Sequence, residues 1–478
     1  VAEIQLIGAV LLVAAQIAAL FFAISRPNRK PAARLAWVMI IIVLPLLGII
    51  AYLLLGQIRI SRKRRVLTAR IERALQRPGD GREQARVDAL DSPFAASFEL
   101  AASVNNLTPS RKNAARLSID SNASIREIVE DIDRATHSVH LCFYIWLTDG
   151  NGTLLKDAVV RAAQRGVAVR VLADALGSRG LIRSSHWKEI QAAGVKAFEA
   201  LPVGNLLWTV LRGRVDLRNH RKIAIMDNRI AWCGSQNAAD PEFKIKARFA
   251  PWVDVMSRWT GPVVRDMQFL FAADWLAETG ENLSELLESS ATTEGGTITA
   301  QVIGTGPTGH YAAISTCFTS LIHSARRELV ISTPYFIPDE QLLYALMSVS
   351  RRGVDASLVL PRRNDSRFVA AASRSFYRDL LEAGLKIYEF EGGMLHSKTM
   401  VIDRRIGLIG SANLDRRSFE LNFENNVLFD DEDFARQLRN RQQQYLDHAR
   451  CIDLKRLEKR SPLYRVWGNT VAMMAPLL

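Results

Sequence analysis

The feature that most constrains this chain is a repetition. His220-Arg221-Lys222 is followed by Asp227 and then by Gly234-Ser235-Gln236-Asn237. His396-Ser397-Lys398 is followed by Asp403 and then by Gly410-Ser411-Ala412-Asn413, with every internal spacing the same. Six fixed residue types arise by chance on the order of once in 10^8 starting points. Two copies in one chain therefore require a duplicated structural unit, and any fold must build the same local arrangement twice.

A wider repeat surrounds the first. Residues 137–174 read HSVHLCFYIWLTDGNGTLLKDAVVRAAQRGVAVRVLAD, and residues 326–363 read RRELVISTPYFIPDEQLLYALMSVSRRGVDASLVLPRR. Each is an apolar strand ending in an aromatic pair, then a helix-period segment, then Arg-Gly-Val, then a second strand. Leu155, Val159 and Ala162, like Leu342, Leu346 and Val349, keep the three- and four-residue apolar spacing of a helix. Gly166 and Gly353 suit the left-handed turn that ends one. Strand–helix–strand units of this kind predict an α/β fold with parallel pairing.

The chemistry follows from the spacing. Each His-x-Lys opens an apolar strand, IAIM in one copy and TMVI in the other, so His and Lys share a face. The return strand delivers Gly-Ser-x-Asn. One half-site then presents His220, Lys222, Ser235 and Asn237, and the other His396, Lys398, Ser411 and Asn413. Two lysines and two amides can stabilise the charge on a phosphodiester undergoing displacement, without a metal or other cofactor. A neutral imidazole can attack phosphorus, and an imidazolium can protonate the leaving alkoxide. A nucleophilic histidine needs its second ring nitrogen held. Asp254 in WVDVM and Glu424 in NFENNV are the downstream acids able to do so. Asp227 and Asp403 complete the candidate catalytic set, although holding a turn is the stronger reading for both.

Before the repeats, two uncharged apolar runs, Ile4 to Ser25 and Leu35 to Ile58, are each long enough to cross a bilayer. A cleaved leader is disfavoured because Glu3 precedes the first run and Arg26, Arg29 and Lys30 follow it. A transmembrane helical hairpin is expected, with Pro45 able to kink its second arm. A basic stretch from Arg59 to Arg86 follows, and the whole chain carries a net charge of +13. Both fit an anionic membrane surface. Cys142, Cys233, Cys317 and Cys451 are too scattered for a disulfide framework or a zinc site.

These residues resemble the signature of the phospholipase D superfamily, HxK(x)4D(x)6GSxN, over roughly residues 110 to 450. With the apolar N-terminus, NHRKIAIMD, PYFIPD at 334–339 and GSANLDRRSFELNFEN from 410, the sequence is most similar to the bacterial cardiolipin synthases. The resemblance implies two phospholipase D-like domains, each a mixed β-sheet flanked by helices, related by a pseudo-twofold with both half-sites in one cleft. Boundaries follow: 1–58 membrane hairpin, 59–109 basic linker, 110–290 first domain, 291–478 second domain. It also implies transfer of a phosphatidyl group from one phosphatidylglycerol to another, through a phosphohistidine. His220 is then the nucleophile and His396 the acid, although the near-symmetry of the sequence leaves those roles open. The implied setting is the bacterial inner membrane, multi-pass, with the catalytic domains in the cytoplasm and no nucleic-acid partner. A hydrolase transferring to water would use the same residues, and a nuclease of the superfamily is disfavoured by the membrane segments. Gly304-Thr305-Gly306-Pro307-Thr308-Gly309 matches a dinucleotide-binding pattern but lacks the downstream βαβ unit.

Overall fold

Each repeat folds into the unit that its periodicity predicts. The computed structural model describes residues 2–26, 31–56, 92–202, 217–288, 296–307, 312–458 and parts of 463–471. Strand Ser138–Phe143 leads through helix Gly150–Gln164 to strand Ala168–Asp174. Strand Glu328–Ser332 leads through helix Glu340–Arg351 to strand Asp355–Pro361. Both strand pairs are parallel. Asp149 and Asp339 open the two helices by accepting the backbone N–H three residues on. Gly166 and Gly353 follow their ends at φ of 85° and 84°, where a side chain would be strained.

The motif strands Lys222–Met226 and Thr399–Ile402 lie antiparallel to Ser138–Phe143 and Glu328–Ser332. Their return strands, Ile230–Gly234 and Ile406–Gly410, form tight hairpins with them. Next come Met256–Thr260 and Asn422–Asp430, then Ser110–Leu117 and Ile298–Thr305. The last two strands pair antiparallel with each other, so both halves enter one mixed sheet of 16 strands. Read inward from Lys196–Ala200 and from Lys386–Phe390, the strand order is the same in the two halves. Ala449–Ile452 is added outside the second half.

Helices cover the sheet in equivalent pairs. Ser121–Arg134 packs on Gly150–Gln164, as Ala313–Ser324 packs on Glu340–Arg351. Val263–Thr279 and Glu432–Asp447 follow the equivalent strands of the two halves. A shared core crosses the seam. The Trp259 ring of the first half lies 5.3 Å from Phe434 of the second, and Phe429 lies 4.6 Å from Phe434. Burial of side chains this size stabilises by roughly 1.5–3 kcal/mol each, which ties the halves into one unit. Helix Ala95–Asn105 also docks on the second half, burying Phe98 and Ala101 against its core.

At the N-terminus, Glu3–Ser25 is helical, long and apolar enough to cross a membrane. The second apolar run is not one helix. It divides at Leu44 into Pro31–Val43 and Pro45–Leu55. Pro45 has no N–H to continue the first helix and is favourable at the first position of a new one. All three helices pack around Trp37, Ile41 and Tyr52, and they turn Ile4, Leu11, Phe21, Leu35 and Leu47 outward. The basic stretch from Arg59 to Arg86 lies outside the described residues, as do Thr308 and Gly309 of the dinucleotide-like pattern.

Candidate active site

The site forms where two short parallel pairings exchange chain between the halves. Arg218–Asn219, just before His220, pairs with Asn422–Phe423 of the second half. Met394–Leu395, just before His396, pairs with Trp252–Val253 of the first half. The backbone N–H of His220 donates to the Phe423 carbonyl at 2.9 Å, and that of His396 to the Val253 carbonyl at 2.8 Å. Each histidine is therefore held beside the acid of the opposite half.

His220 Nδ1 lies 2.9 and 3.0 Å from the two carboxylate oxygens of Glu424. His396 Nδ1 lies 2.6 Å from Asp254 Oδ1. The serines hold the acids in place within each half. Ser235 Oγ donates to Asp254 at 2.6 Å, and Ser411 Oγ donates to Glu424. The same hydroxyls accept the N–H groups of Val255 and Asn425 at 3.0 and 2.9 Å. This contact explains Gly234 and Gly410. A Cβ at either position would run into the backbone carbonyl of Val255 or Asn425.

Lys222 and Lys398 are fully buried cations, 0% and 1% exposed. Their ammonium groups donate to the carbonyls of His220 and His396 at 2.7 and 2.6 Å. Burial pushes Lys222 down to about 8 and Lys398 to about 7. Burial also lowers both histidines to about 4 against the pull of their carboxylate partners. The acids move the other way. Burial alone would raise Asp254, but His396 and Lys398 hold it at about 2, and Glu424 is likewise held below its ordinary value by His220 and Lys222. Between about pH 4 and pH 7 the result is two neutral rings, two ammonium groups and two carboxylates. In that state each ring donates its Nδ1–H to a carboxylate and keeps a lone pair on Nε2.

The amides complete the set. Asn237 accepts the Ile145 N–H through Oδ1 at 3.2 Å, which leaves its NH2 to donate. The backbone N–H of Asn413 donates to Ser418 Oγ at 3.0 Å. Thus His220, Lys222, Ser235, His396, Lys398, Ser411, Asp254 and Glu424 converge, and Asn237 and Asn413 are buried two residues beyond the serines.

Asp227 and Asp403 do not, and this corrects their place in the candidate catalytic set. Each sits at the far end of its motif strand, seven residues or roughly 23 Å from the histidine at strand rise. Asp227 and Asn228 have φ of 53° and 52°, and Asp403 and Arg404 have 52° and 56°. Such left-handed pairs make the two-residue hairpin turn. The Asp227 carboxylate accepts the N–H groups of Thr136, His137 and Ser138 at 2.7–2.8 Å. Asp403 accepts those of Arg326, Arg327 and Glu328 at 2.7–2.9 Å. Both acids clamp the start of the neighbouring strand.

Several neighbours carry no motif signal. The Tyr144 ring lies 5.0 Å from His220 and 5.4 Å from the Lys222 ammonium. The Trp252 indole lies 4.6 Å from the His396 ring. Trp252 stands two residues before Asp254 on an extended segment, so the two share a face, a signal available in the sequence. Arg218 pairs with fully buried Asp174 at 3.2 Å, and Arg221 with Asp274 at 2.6 Å. No spacing rule connects these pairs.

Comparison with known proteins finds relatives along most of the chain. A family model described as "Cardiolipin synthase, PLD-like domain" matches residues 128–248 and 318–446. A second, described as "Phospholipase D-nuclease N-terminal", matches residues 14–57. Cardiolipin synthase A of Yersinia pseudotuberculosis serotype O:1b is 36% identical over 467 residues, covering 94% of each chain. The protein of the same name from Yersinia pestis bv. Antiqua matches equally. Among solved structures, phosphatidylserine synthase of Haemophilus influenzae superposes with a TM-score of 0.58 over 80% of this chain and all of that one, at 15% identity, a likeness of fold.

Proposed function

The chain belongs to the cardiolipin synthases with phospholipase D-like domains, and from that premise we propose how its site performs phosphatidyl transfer. The enzyme is a phospholipid phosphatidyltransferase, and its donor and acceptor are both phosphatidylglycerol. The phosphodiester of the first lipid enters between His220 and His396, where Lys222, Lys398, Asn237 and Asn413 bind its oxygens. His220 Nε2 attacks phosphorus while its Nδ1–H stays with Glu424. The bond from phosphorus to the glycerol oxygen breaks, and His396 gives that oxygen its proton. The second phosphatidylglycerol then gives the proton of its glycerol hydroxyl to His396. Its oxygen attacks phosphorus, the bond to His220 breaks, and cardiolipin leaves. The first step releases one glycerol, and the second restores both rings.

The observation that carries this reading is the crossed pairing of two histidines with two carboxylates. It gives one site a held nucleophile and a held acid that belong to different halves. The differences between the half-sites support the assignment of roles. Glu424 also accepts from the Asn422 amide at 3.1 Å, which fixes the carboxylate that holds the His220 Nδ1–H and leaves the Nε2 lone pair for attack. His396 faces the Trp252 indole, the aromatic face that best stabilises a cation, and it is the ring that carries the proton once an anionic substrate arrives.

The matching strand order supports a pseudo-twofold through the central antiparallel pair, with domains near 110–290 and 291–478 after a linker at 59–109. The outward apolar side chains of the three N-terminal helices support a membrane anchor in residues 1–58, with the second run making a broken arm of a hairpin. The test is to incubate the detergent-solubilised protein with phosphatidylglycerol alone and read the lipids by mass spectrometry. Cardiolipin and glycerol in equal amounts are expected. Phosphatidic acid without cardiolipin would replace the transferase with a hydrolase.

A further inference from the structure

The segment between Asn237 and Asp254 is anchored at the site and exposed at its middle. Phe243 stacks on Trp252 at 4.1 Å, and Trp252 in turn lies against His396. The next residues, in the short helix Lys244–Phe249, turn outward, and Ile245 is 62% exposed. Lys246 pairs with Asp365, which also accepts the Tyr335 hydroxyl at 2.7 Å. That ion pair joins the segment to the start of helix Arg367–Ser375 in the second half. There Phe368 is 55% exposed, and its ring lies 5.9 Å from Trp467, itself 48% exposed. Large apolar side chains from both halves thus stand out beside the site, and Lys244, Arg248 and Arg367 are exposed among them.

We propose that this rim, formed by Ile245, Phe368 and Trp467 with Lys244, Arg248 and Arg367, is a docking surface for an anionic lipid bilayer. The inference rests on the phospholipid reading above and adds to the N-terminal anchor a second membrane contact, made by the catalytic body. Exposed apolar groups in a basic surround match a bilayer interface, where rings and aliphatic side chains enter the acyl boundary and cations meet headgroup phosphates. The reacting groups require such a contact. His220 and His396 are 8% and 3% exposed, so a phosphodiester must leave the headgroup layer to reach them. Seating the rim on the bilayer lets the headgroup enter the cleft while the acyl chains stay in the membrane.

The test uses the full chain in proteoliposomes. Cys451 is the exposed thiol among the described residues, and the other three cysteines are buried. In a Cys451→Ser background, Ile245→Cys and Phe368→Cys would carry an environment-sensitive fluorophore, with Lys188→Cys on a remote exposed helix as control. In phosphatidylglycerol-rich vesicles the labels at 245 and 368 are expected to shift to the blue and be quenched by brominated acyl chains, while the label at 188 is not. Labels at 245 and 368 that behave as at 188 would overturn the proposal. Equal quenching in pure phosphatidylcholine vesicles would overturn its anionic part. The readout needs no turnover, so quenched labels on a protein that makes no cardiolipin would keep the docking surface and reject the activity. A combined Ile245→Ser, Phe368→Ser, Trp467→Ser chain is expected to raise KM for vesicle phosphatidylglycerol about fivefold or more, with kcat/KM on a soluble short-chain analogue unchanged. An equal loss on both substrates would contradict the proposal.

Discussion

Around His220 the chain buries ion pairs, whereas around His396 it buries hydroxyls and an indole. In the first half-site Arg221 pairs with Asp274, donates to the Glu424 carbonyl at 3.2 Å and lies over the Phe423 ring at 5.7 Å. At the equivalent position of the second half-site stands Ser397, whose hydroxyl meets Ser332 at 2.8 Å. Ser332 continues to Thr399 at 2.6 Å, and Thr399 to Gln442 at 2.9 Å. The residue two before each acid differs as well, Asn422 in one and Trp252 in the other. The histidines, lysines, serines and acids match, yet the surroundings do not. Duplication supplied a symmetric set of reacting groups, and the neighbours give the two rings different work. A neutral nucleophile and a proton donor need different environments, and a perfectly symmetric site would provide one environment twice.

The largest expected effects fall on the crossed acids. Glu424→Gln and Asp254→Asn are each expected to lower kcat by about 10^2- to 10^4-fold, because each leaves a histidine without its orienting carboxylate. The comparison separates them by step. In Glu424→Gln the formation of the covalent enzyme slows, and in Asp254→Asn leaving-group departure slows, so a donor with an acidic leaving group rescues the second and not the first. Rapid-quench assays with two donors decide it, and equal rescue would break the distinction drawn between the half-sites.

The lysines set an alkaline limit. Deprotonation removes positive charge from the site, and Lys398 loses its proton first, at about 7, before Lys222 at about 8. A plot of kcat/KM against pH should therefore begin to fall near neutral pH and steepen above it. A flat profile up to pH 10 would show that these ammonium groups do not carry the electrostatic role assigned to them.

Stability should differ between the halves. Asp274→Ala strands the buried Arg221 guanidinium and is expected to cost about 3 kcal/mol. Ser397→Ala removes one hydroxyl contact, and about 1 kcal/mol is expected. Thermal unfolding in detergent measures both. Similar losses would mean that the buried charges are not what distinguishes the first half-site. The smallest effect on catalysis is expected for Asp227→Asn and Asp403→Asn. Each clamps a strand start far from the histidines, so melting should fall while kcat per folded molecule stays within about twofold.

The repeated motif made most of the site legible. Spacing places His220 with Lys222 and Ser235 with Asn237, and Asp227 and Asp403 read as residues that hold turns. The strand–helix–strand units were legible from Leu155, Val159 and Leu342, and their ends from Gly166 and Gly353. The exchange of acids was not legible. His220 and Glu424 are 204 residues apart, and their meeting depends on the parallel pairing of Arg218–Asn219 with Asn422–Phe423, two residues long. Nothing periodic marks so short a contact. Arg218, Arg221, Asp174 and Asp274 were missed because they lie at positions where the two copies differ, so the repeat carries no information about them. In the second apolar run Pro45 marks a kink in the sequence, but composition does not show that it opens a new helix.

The central claim is that His220 attacks phosphorus while His396, held by the other half, moves the proton. The direct measurement is to mix a His396→Ala chain with phosphatidylglycerol carrying a labelled phosphate and an acidic leaving group in place of glycerol. After quenching under alkaline conditions that preserve phosphohistidine, the labelled peptide is sequenced by mass spectrometry. The account predicts the label on the peptide containing His220 and none in a His220→Ala, His396→Ala chain. A label elsewhere, or no label when the donor is consumed, would contradict it.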